Sequence, residues 1–397
     1  MMMITSYLLT GLATLLAVPT GVFLLEILAA IALPKRAIIL DAKSDLRGRV
    51  AVLVPAHNES EGLTATLADL KSQLRSGDRL LVVADNCDDD TAVVAAGMGA
   101  EITVRNDPTK IGKGYALDWG LNHLAKDAPD SVIIMDADCR VEDGTIERLA
   151  MVCAKLRRPV QALYLMTAPL GSAINHQVAE FAWRLKNQVR PLGLNALGLP
   201  CQLMGTGMAF PWEVIRSAEL ANGFIVEDLK LGLELADAGH APVFCPLATV
   251  TSTFPTSAEG SATQRQRWEH GHIGLILSKA PTLLFSALRR GNSNLLALAL
   301  DLLVPPLSLF GIILATTMGG AAIATLAGAS PCALVISSTC LLMVIATIIL
   351  AWFKFGRDIL PLRALISIGP YAAAKVRSYV AVLFGHRVSR WNRADRN

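Results

Sequence analysis

The residues of this 397-residue chain that could do chemistry collect in short clusters. In Ser131 to Gly144, an apolar run from Val132 to Met135 reads as a buried strand and stops at two carboxylates, Asp136 and Asp138. At the carboxyl end of a strand in an open α/β sheet, side chains project into the crevice where ligands bind. Two acids there could hold a hard divalent cation and, through it, a phosphate. The plain alternative is a loop start or a cap for the next helix. Pro55-Ala56-His57-Asn58-Glu59 and Asp85-Asn86-Cys87-Asp88-Asp89-Asp90-Thr91 put further acids and amides at the ends of two other apolar runs. Lys113, between two glycines at a helix start, suits a phosphate or is an ordinary solvated lysine. Glu227 and Asp228 open a helix, where the dipole favours acids in any case. In Gln264-Arg265-Gln266-Arg267-Trp268, helical spacing puts Gln264, Arg267 and Trp268 on one face. An Arg beside a Trp can clamp an anionic leaving group next to a flat apolar platform, or anchor a helix at an interface. His270 and His272, two apart, fall on different sides of a helix and read as surface or supporting residues rather than metal ligands.

These clusters need a sheet to position them. The pattern predicts strands over Arg49 to Pro55, Arg79 to Ala84 and Glu101 to Arg105. It predicts helices over Gly62 to Leu74, Thr91 to Met98, Gly112 to Ala125 and Leu229 to Ala238. Such alternation implies an α/β domain with a mostly parallel sheet covered on both faces. Three strand ends then carry acids or amides toward one crevice. No dinucleotide fingerprint accompanies them: Gly97-Met98-Gly99 lies where a helix gives way to a strand and reads as a C-cap, and Gly205-Thr206-Gly207 lacks a third glycine. Nicotinamide and flavin chemistry is therefore not expected.

Hydrophobic residues make up 53% of the chain and charged ones 17%, with mean hydropathy +0.46, which points to membrane segments. A net charge of +3 gives no reason to expect nucleic acid. Seven cysteines without a C-x-x-C suit a reduced compartment. The apolar run Ile4 to Leu33, broken only by Glu26, is long enough to span a bilayer, as are Leu295 to Thr317 and Ala333 to Phe353. Lys35, Arg36, Arg289, Arg290, Lys354 and Arg357 all fall on one side of a three-span arrangement, which places the polar domain in the cytosol. The expected plan is an anchor at 1–36, a cytosolic domain at 45–272, an interfacial helix at 273–292 and a transmembrane pair at 293–355. An interfacial helix or fourth span, with a cytosolic tail, follows at 356–397. Asp301 and Val304-Pro305-Pro306 interrupt the second span, and a charge there is either paired or facing a polar cavity.

The order V-P-A-H-N-E at 54–59, D-N-C-D-D-D-T at 85–91, G-K-G at 112–114, D-A-D at 136–138, E-D at 227–228 and Q-R-Q-R-W at 264–268 resembles the membrane-bound family 2 glycosyltransferases. These include cellulose and hyaluronan synthases and ceramide glucosyltransferases. The resemblance covers roughly Arg49 to His272 and implies a GT-A nucleotide-sugar-binding domain. It implies that Pro55, His57, Asn58, Glu59 and Asp85 hold the uracil and ribose of a UDP-sugar, with Lys113 near the nucleotide and Asp136 near the ribose. Asp138 would ligate Mg2+ or Mn2+. Asp228, beside Glu227, matches the general base, and Gln264, Arg267 and Trp268 match Q-x-x-R-W. Val226 stands where the family often has Thr, and the F-x-V-T segment of many processive synthases is not evident after Trp268. Trp391 to Arg396 resembles the W-x-R-T-x-R ending of many bacterial membrane transferases, with Ala394 for Thr.

The expected function is metal-dependent, inverting transfer of a sugar from a UDP-sugar to a lipid-linked or glycolipid acceptor. Its expected place is the cytosolic face of a bacterial inner membrane, in envelope or exopolysaccharide assembly, with membrane lipids as partners. The alternatives are a processive polysaccharide synthase and a catalytically silent nucleotide-sensing scaffold.

Overall fold

The structure, a computed structural model, describes residues 2–34, 36, 47–169, 171–221, 226–256, 258–376 and 379–380. Alternation along β1 (Val50–Ala56) shows how the sheet is covered. Val50, Val52 and Val54 face a core shared with α2 (Leu63–Lys71) and α5 (Thr145–Leu156), whereas Ala51 and Leu53 face a second core with α4 (Lys113–Leu124). A strand buried on both faces reads as a continuous apolar run, which is why VAVLVPA carries no polar residue. In α4, a Cβ on Gly120 would lie 2.4 Å from Leu53 Cδ1, so its absence sets how closely this helix approaches the sheet.

The remaining elements of the domain are β2 (Arg79–Asp85), α3 (Thr91–Gly97), β3 (Glu101–Arg105), β4 (Ser131–Ile134), β5 (Arg140–Val141), β6 (Val160–Thr167), α6 (Ile174–Arg184), α7 (Arg190–Leu197), β7 (Met208–Pro211), α8 (Trp212–Arg216), α9 (Glu227–Asp237) and β8 (Val243–Thr253). They form one sheet in the order β3-β2-β1-β4-β7-β6-β8-β5. Strands β3, β2, β1 and β4 run parallel, β7 is antiparallel to both β4 and β6, and β6 is parallel to β8. The sheet is thus mixed and mostly parallel.

Four helices among the described residues are long and apolar enough to cross a membrane: Met3–Ala32, Thr263–Arg290, Leu307–Leu326 and Cys332–Phe355. α1 (Met2–Ala32), α12 (Leu307–Leu326) and α13 (Cys332–Phe355) pack on one another, and Phe181 of α6 joins their core. α10 (Ala258–Arg290) packs instead on α9 and α11 (Ser293–Leu302). The expected interfacial helix is therefore the second half of α10, continuous with the segment that carries Gln264, Arg267 and Trp268. The expected second span is divided. Pro305 and Pro306 lack the N–H that helix continuation requires, so α11 ends at Leu302 and α12 begins at Leu307. After α13 come a 3-10 turn (Leu362–Ser367) and α14 (Ile368–Ala374), seven residues long. Lys35, Phe224, Ile225 and the Trp391 to Arg396 ending lie outside the described residues.

The apolar helix α1 and the domain are joined by a buried ion cluster. Arg190, at the start of α7, donates from Nε to Glu26 Oε2 of α1 at 2.6 Å and from Nη2 to Asp301 Oδ1 of α11 at 2.5 Å. It also donates to the Asp301 carbonyl at 2.9 Å. Burial opposes the arginine's charge, but Asp301 and Glu26 outweigh it and hold Arg190 protonated above its ordinary range. The two charges that interrupt the apolar runs thus share one partner. Close approach at this joint needs Gly193: a Cβ there would lie 1.9 Å from the Glu26 carbonyl oxygen. Replacing Arg190 by Gln leaves two buried carboxylates without their cation, so it should lower folding stability by about 3–5 kcal/mol. Thermal unfolding in nanodiscs checks this, and an unchanged midpoint would contradict it.

Candidate active site

A cavity of about 220 Å³ opens at the carboxyl ends of β1, β2 and β4. It is lined by Pro55, His57, Glu59, Asp85, Lys113, Asp136, Asp138, Glu227, Asp228, Gln264, Arg267 and Trp268. Asn58 is the exception among the residues singled out by sequence. It sits in the left-handed region at φ 55°, with its Oδ1 accepting from the Asp88 backbone N–H at 2.8 Å. Its contact is with the neighbouring loop, a use short polar side chains at such φ often serve.

The β1 and β2 turns brace each other. His57 Nδ1 lies 2.7 Å from the Asp85 carbonyl oxygen, and the Glu59 N–H donates to Thr91 Oγ1 at 2.8 Å. Asn86, also left-handed at φ 50°, accepts from the Asp107 N–H at 2.7 Å. Asp85 is buried and receives Arg105 Nη1 at 2.6 Å, and Arg105 lies over the Tyr115 ring at 5.4 Å. Burial raises the Asp85 carboxyl despite this arginine.

At the β4 end, the ligating atoms of Asp136, Asp138 and Cys139 lie within 4.8 Å of one another. Lys113 Nζ pairs with Asp136 and donates to the Gly205 carbonyl at 2.7 Å. The loop that presents this carbonyl turns through Gly205 at φ 92° and Gly207 at φ 64°, and between them Thr206 Oγ1 accepts from the Asp136 N–H at 2.9 Å. The Gly-Thr-Gly dismissed as a dinucleotide motif is therefore part of the acid site.

Glu227 and Asp228 face this loop: a Cβ on Gly205 would lie 3.4 Å from Asp228 Oδ2. Burial and the adjacent Asp228 push Glu227 up to about 7, and burial raises Asp228 as well, against Lys113. Burial likewise opposes the charge of Lys113, but Asp136 and then Glu227 hold it above its ordinary range. One lysine is thus set among three carboxylates.

The far wall is aromatic. Trp183 of α6 stands edge-on to Tyr164 at 5.4 Å and meets Trp268 at 4.9 Å. Lys186, Arg190 and Asp301 extend the cavity toward α11. Sequence reasoning missed Trp183, Lys186, Arg105 and Arg190; it left Asp301 either paired or facing a polar cavity, and Asp301 both pairs with Arg190 and lines the cavity. His270 and His272 are buried, not surface residues, and His272 Nε2 lies 3.0 Å from the Leu302 carbonyl.

Residues 47–271 match the model of "Glycosyltransferase like family 2", and the chain belongs to that family. Uncharacterized glycosyltransferases of Mycobacterium tuberculosis (strain ATCC 25618 / H37Rv) and Mycobacterium bovis (strain ATCC BAA-935 / AF2122/97) are each 35% identical over 149 residues. That is 36% of this chain, which spans 61% of each relative's length. The mannosyltransferase PcManGT from Pyrobaculum calidifontis, solved in complex with GDP-Man and Mn2+, superposes with a TM-score of 0.53 at 19% identity. The match covers 95% of this chain and 99% of that one, and shows a GT-A-like fold.

The raised Glu227 has a sign that can be tested. Between the ordinary value of 4.5 and about 7, the folded chain holds a proton here that the unfolded chain has released. Stability should therefore decline as pH rises through that window and level off above it. In metal-free buffer, Glu227→Gln should flatten the slope of melting temperature against pH. An identical slope in the variant would contradict the assignment.

Proposed function

We propose that the chain transfers a sugar from a UDP-sugar to a lipid-linked or glycolipid acceptor, with inversion at the anomeric carbon. Its proposed setting is the cytosolic face of a bacterial inner membrane, in envelope or exopolysaccharide assembly. The observation that carries this reading is that Asp136 and Asp138 face Glu227, Asp228, Arg267 and Trp268 across one cavity beside the membrane helices.

In this reading Asp85 and the Pro55 to Glu59 turn hold the uracil and ribose, with Lys113 near the nucleotide and Asp136 toward the ribose. Carboxylates suit a hard divalent ion, and Asp136 and Asp138 sit close enough together to share one. Asp138 is the proposed ligand of Mg2+ or Mn2+, which when bound supplies positive charge against the diphosphate. Asp228 takes the proton of the acceptor hydroxyl as its oxygen attacks the anomeric carbon. The bond to the diphosphate oxygen breaks, its electron pair leaves with UDP, and Arg267 offsets the charge that develops. Trp268 and Trp183 offer flat faces against which a sugar ring can lie. Gln264 Oε1 is buried without a hydrogen-bond partner among the described residues, which leaves it an acceptor for a ligand hydroxyl.

Incubating membranes with radiolabelled nucleotide sugars and following label into a lipid extract tests the reading. Label from a UDP-sugar should enter lipid, and Asp228→Asn should slow this by about a hundredfold or more. Near-normal turnover in that variant would overturn the role of Asp228. A ladder of products would make the chain a processive synthase, and no UDP release with any donor and acceptor pool would make it a silent scaffold.

A further inference from the structure

A second cavity, of about 120 Å³, adjoins the first and shares with it Trp183, Lys186, Arg190, Trp268 and His272. Its outer half is apolar, formed by Phe254 and by the break between α11 and α12 at Val304, Pro305, Pro306 and Leu307. Leu307 is the first residue of a helix long and apolar enough to cross a membrane, and Val304 belongs to the core shared by α1, α12 and α13. The cavity therefore lies where the lipid-facing bundle meets the catalytic domain.

Its inner half is cationic. Lys186, in the π-helical turn Leu185–Val189, has the Trp183 ring at 5.9 Å, and no carboxylate lies within ion-pair distance of it among the described residues. Burial works against its charge. Arg265 lines the same space and lies over the Tyr371 ring at 6.0 Å. The one acid in the lining, Glu269, is matched by Lys375 of the segment after α14 at 2.5 Å. Asp228, Asp301 and Glu269 support the Lys186 charge from beyond ion-pair distance, and a buried ammonium with no closer anion is costly unless a ligand supplies one.

We infer that this second cavity seats the acceptor, and that the acceptor is a membrane lipid whose phosphate joins its chain to a hydroxyl-bearing head: the phosphate on Lys186 and Arg265, the attacking hydroxyl toward Asp228, the chain leaving past Val304 and Leu307 into the bilayer. The inference rests on the transferase reading and narrows its acceptor to an anionic lipid. Tyr371 and Lys375 close the outer side, so the chain passes between α14 and the foot of α12. Lys186 lines both cavities, and a phosphate held there lies beside the wall that carries Asp228 and Trp268.

The test uses the full-length protein in phosphatidylcholine nanodiscs and a long-chain alkyl phosphate carrying a diazirine in its tail, against the matching alcohol. The phosphate should label peptides holding residues 304–308 or 371–375 at least about tenfold more than the alcohol. Lys186→Gln should cut labelling by a similar factor, and Lys186→Arg should keep most of it. UDP binding with Mn2+, measured on the same samples, reports that each variant is folded. Equal labelling by phosphate and alcohol, full labelling in Lys186→Gln, or displacement by inorganic phosphate at the probe's own concentration would overturn the inference. If UDP fails to bind while phosphate-dependent labelling persists, the donor reading falls and this site stands. If UDP binds but labelling ignores the phosphate, only this inference falls.

Discussion

A charge inside an apolar segment must be matched or it cannot stay, and in this chain that constraint fixes where the catalytic domain sits. Glu26 lies toward the end of α1 and Asp301 near the end of α11, and Arg190 binds both from the start of α7. Because Arg190 follows the π-helical turn that carries Lys186 and also lines the main cavity, the ion cluster holds the cavity's floor against α1 and α11. Gly193 lets the two backbones touch where the cluster forms. A site supported this way is anchored by side chains whose loss leaves unpaired charge.

The same logic runs through the cavity. Asp85 is neutralised by Arg105, and Lys113 stands among Asp136, Glu227 and Asp228. The chain's own cations thus stand against these acids, and burial raises the Glu227 and Asp228 carboxyls. In the proposed reaction, burial that raises the Asp228 carboxyl suits it to take an acceptor's proton better than a solvated carboxylate would.

Much of this was legible in the sequence. Strand periodicity and short polar turns locate β1 to β4, because a strand buried on both faces has to be apolar and its end has to be polar. The acids at those ends therefore reach the same crevice once the strands run parallel. The Q-x-x-R-W spacing puts its three side chains on one helical face, and all three line the cavity. What the sequence hid depends on long-range contact. Arg105 and Trp183 look like ordinary strand and helix residues until Asp85 and Trp268 lie against them. The proline pair looks like a blemish in one span, whereas it separates a short helix on the domain from a longer one in the bundle. α10 looks like two segments because its polar catalytic half and apolar half differ in composition, yet no breaker divides them at Ile273.

The central claim is that the carboxylates at the end of β4 bind a nucleotide diphosphate through a divalent ion. Calorimetric titration of UDP into the nanodisc-embedded protein tests it most directly, in Mn2+ and in chelator, for the wild type and for Asp138→Asn. The account predicts UDP binding that requires Mn2+ and is lost in the variant. Equal UDP affinity in chelator, or in Asp138→Asn with Mn2+, would contradict it.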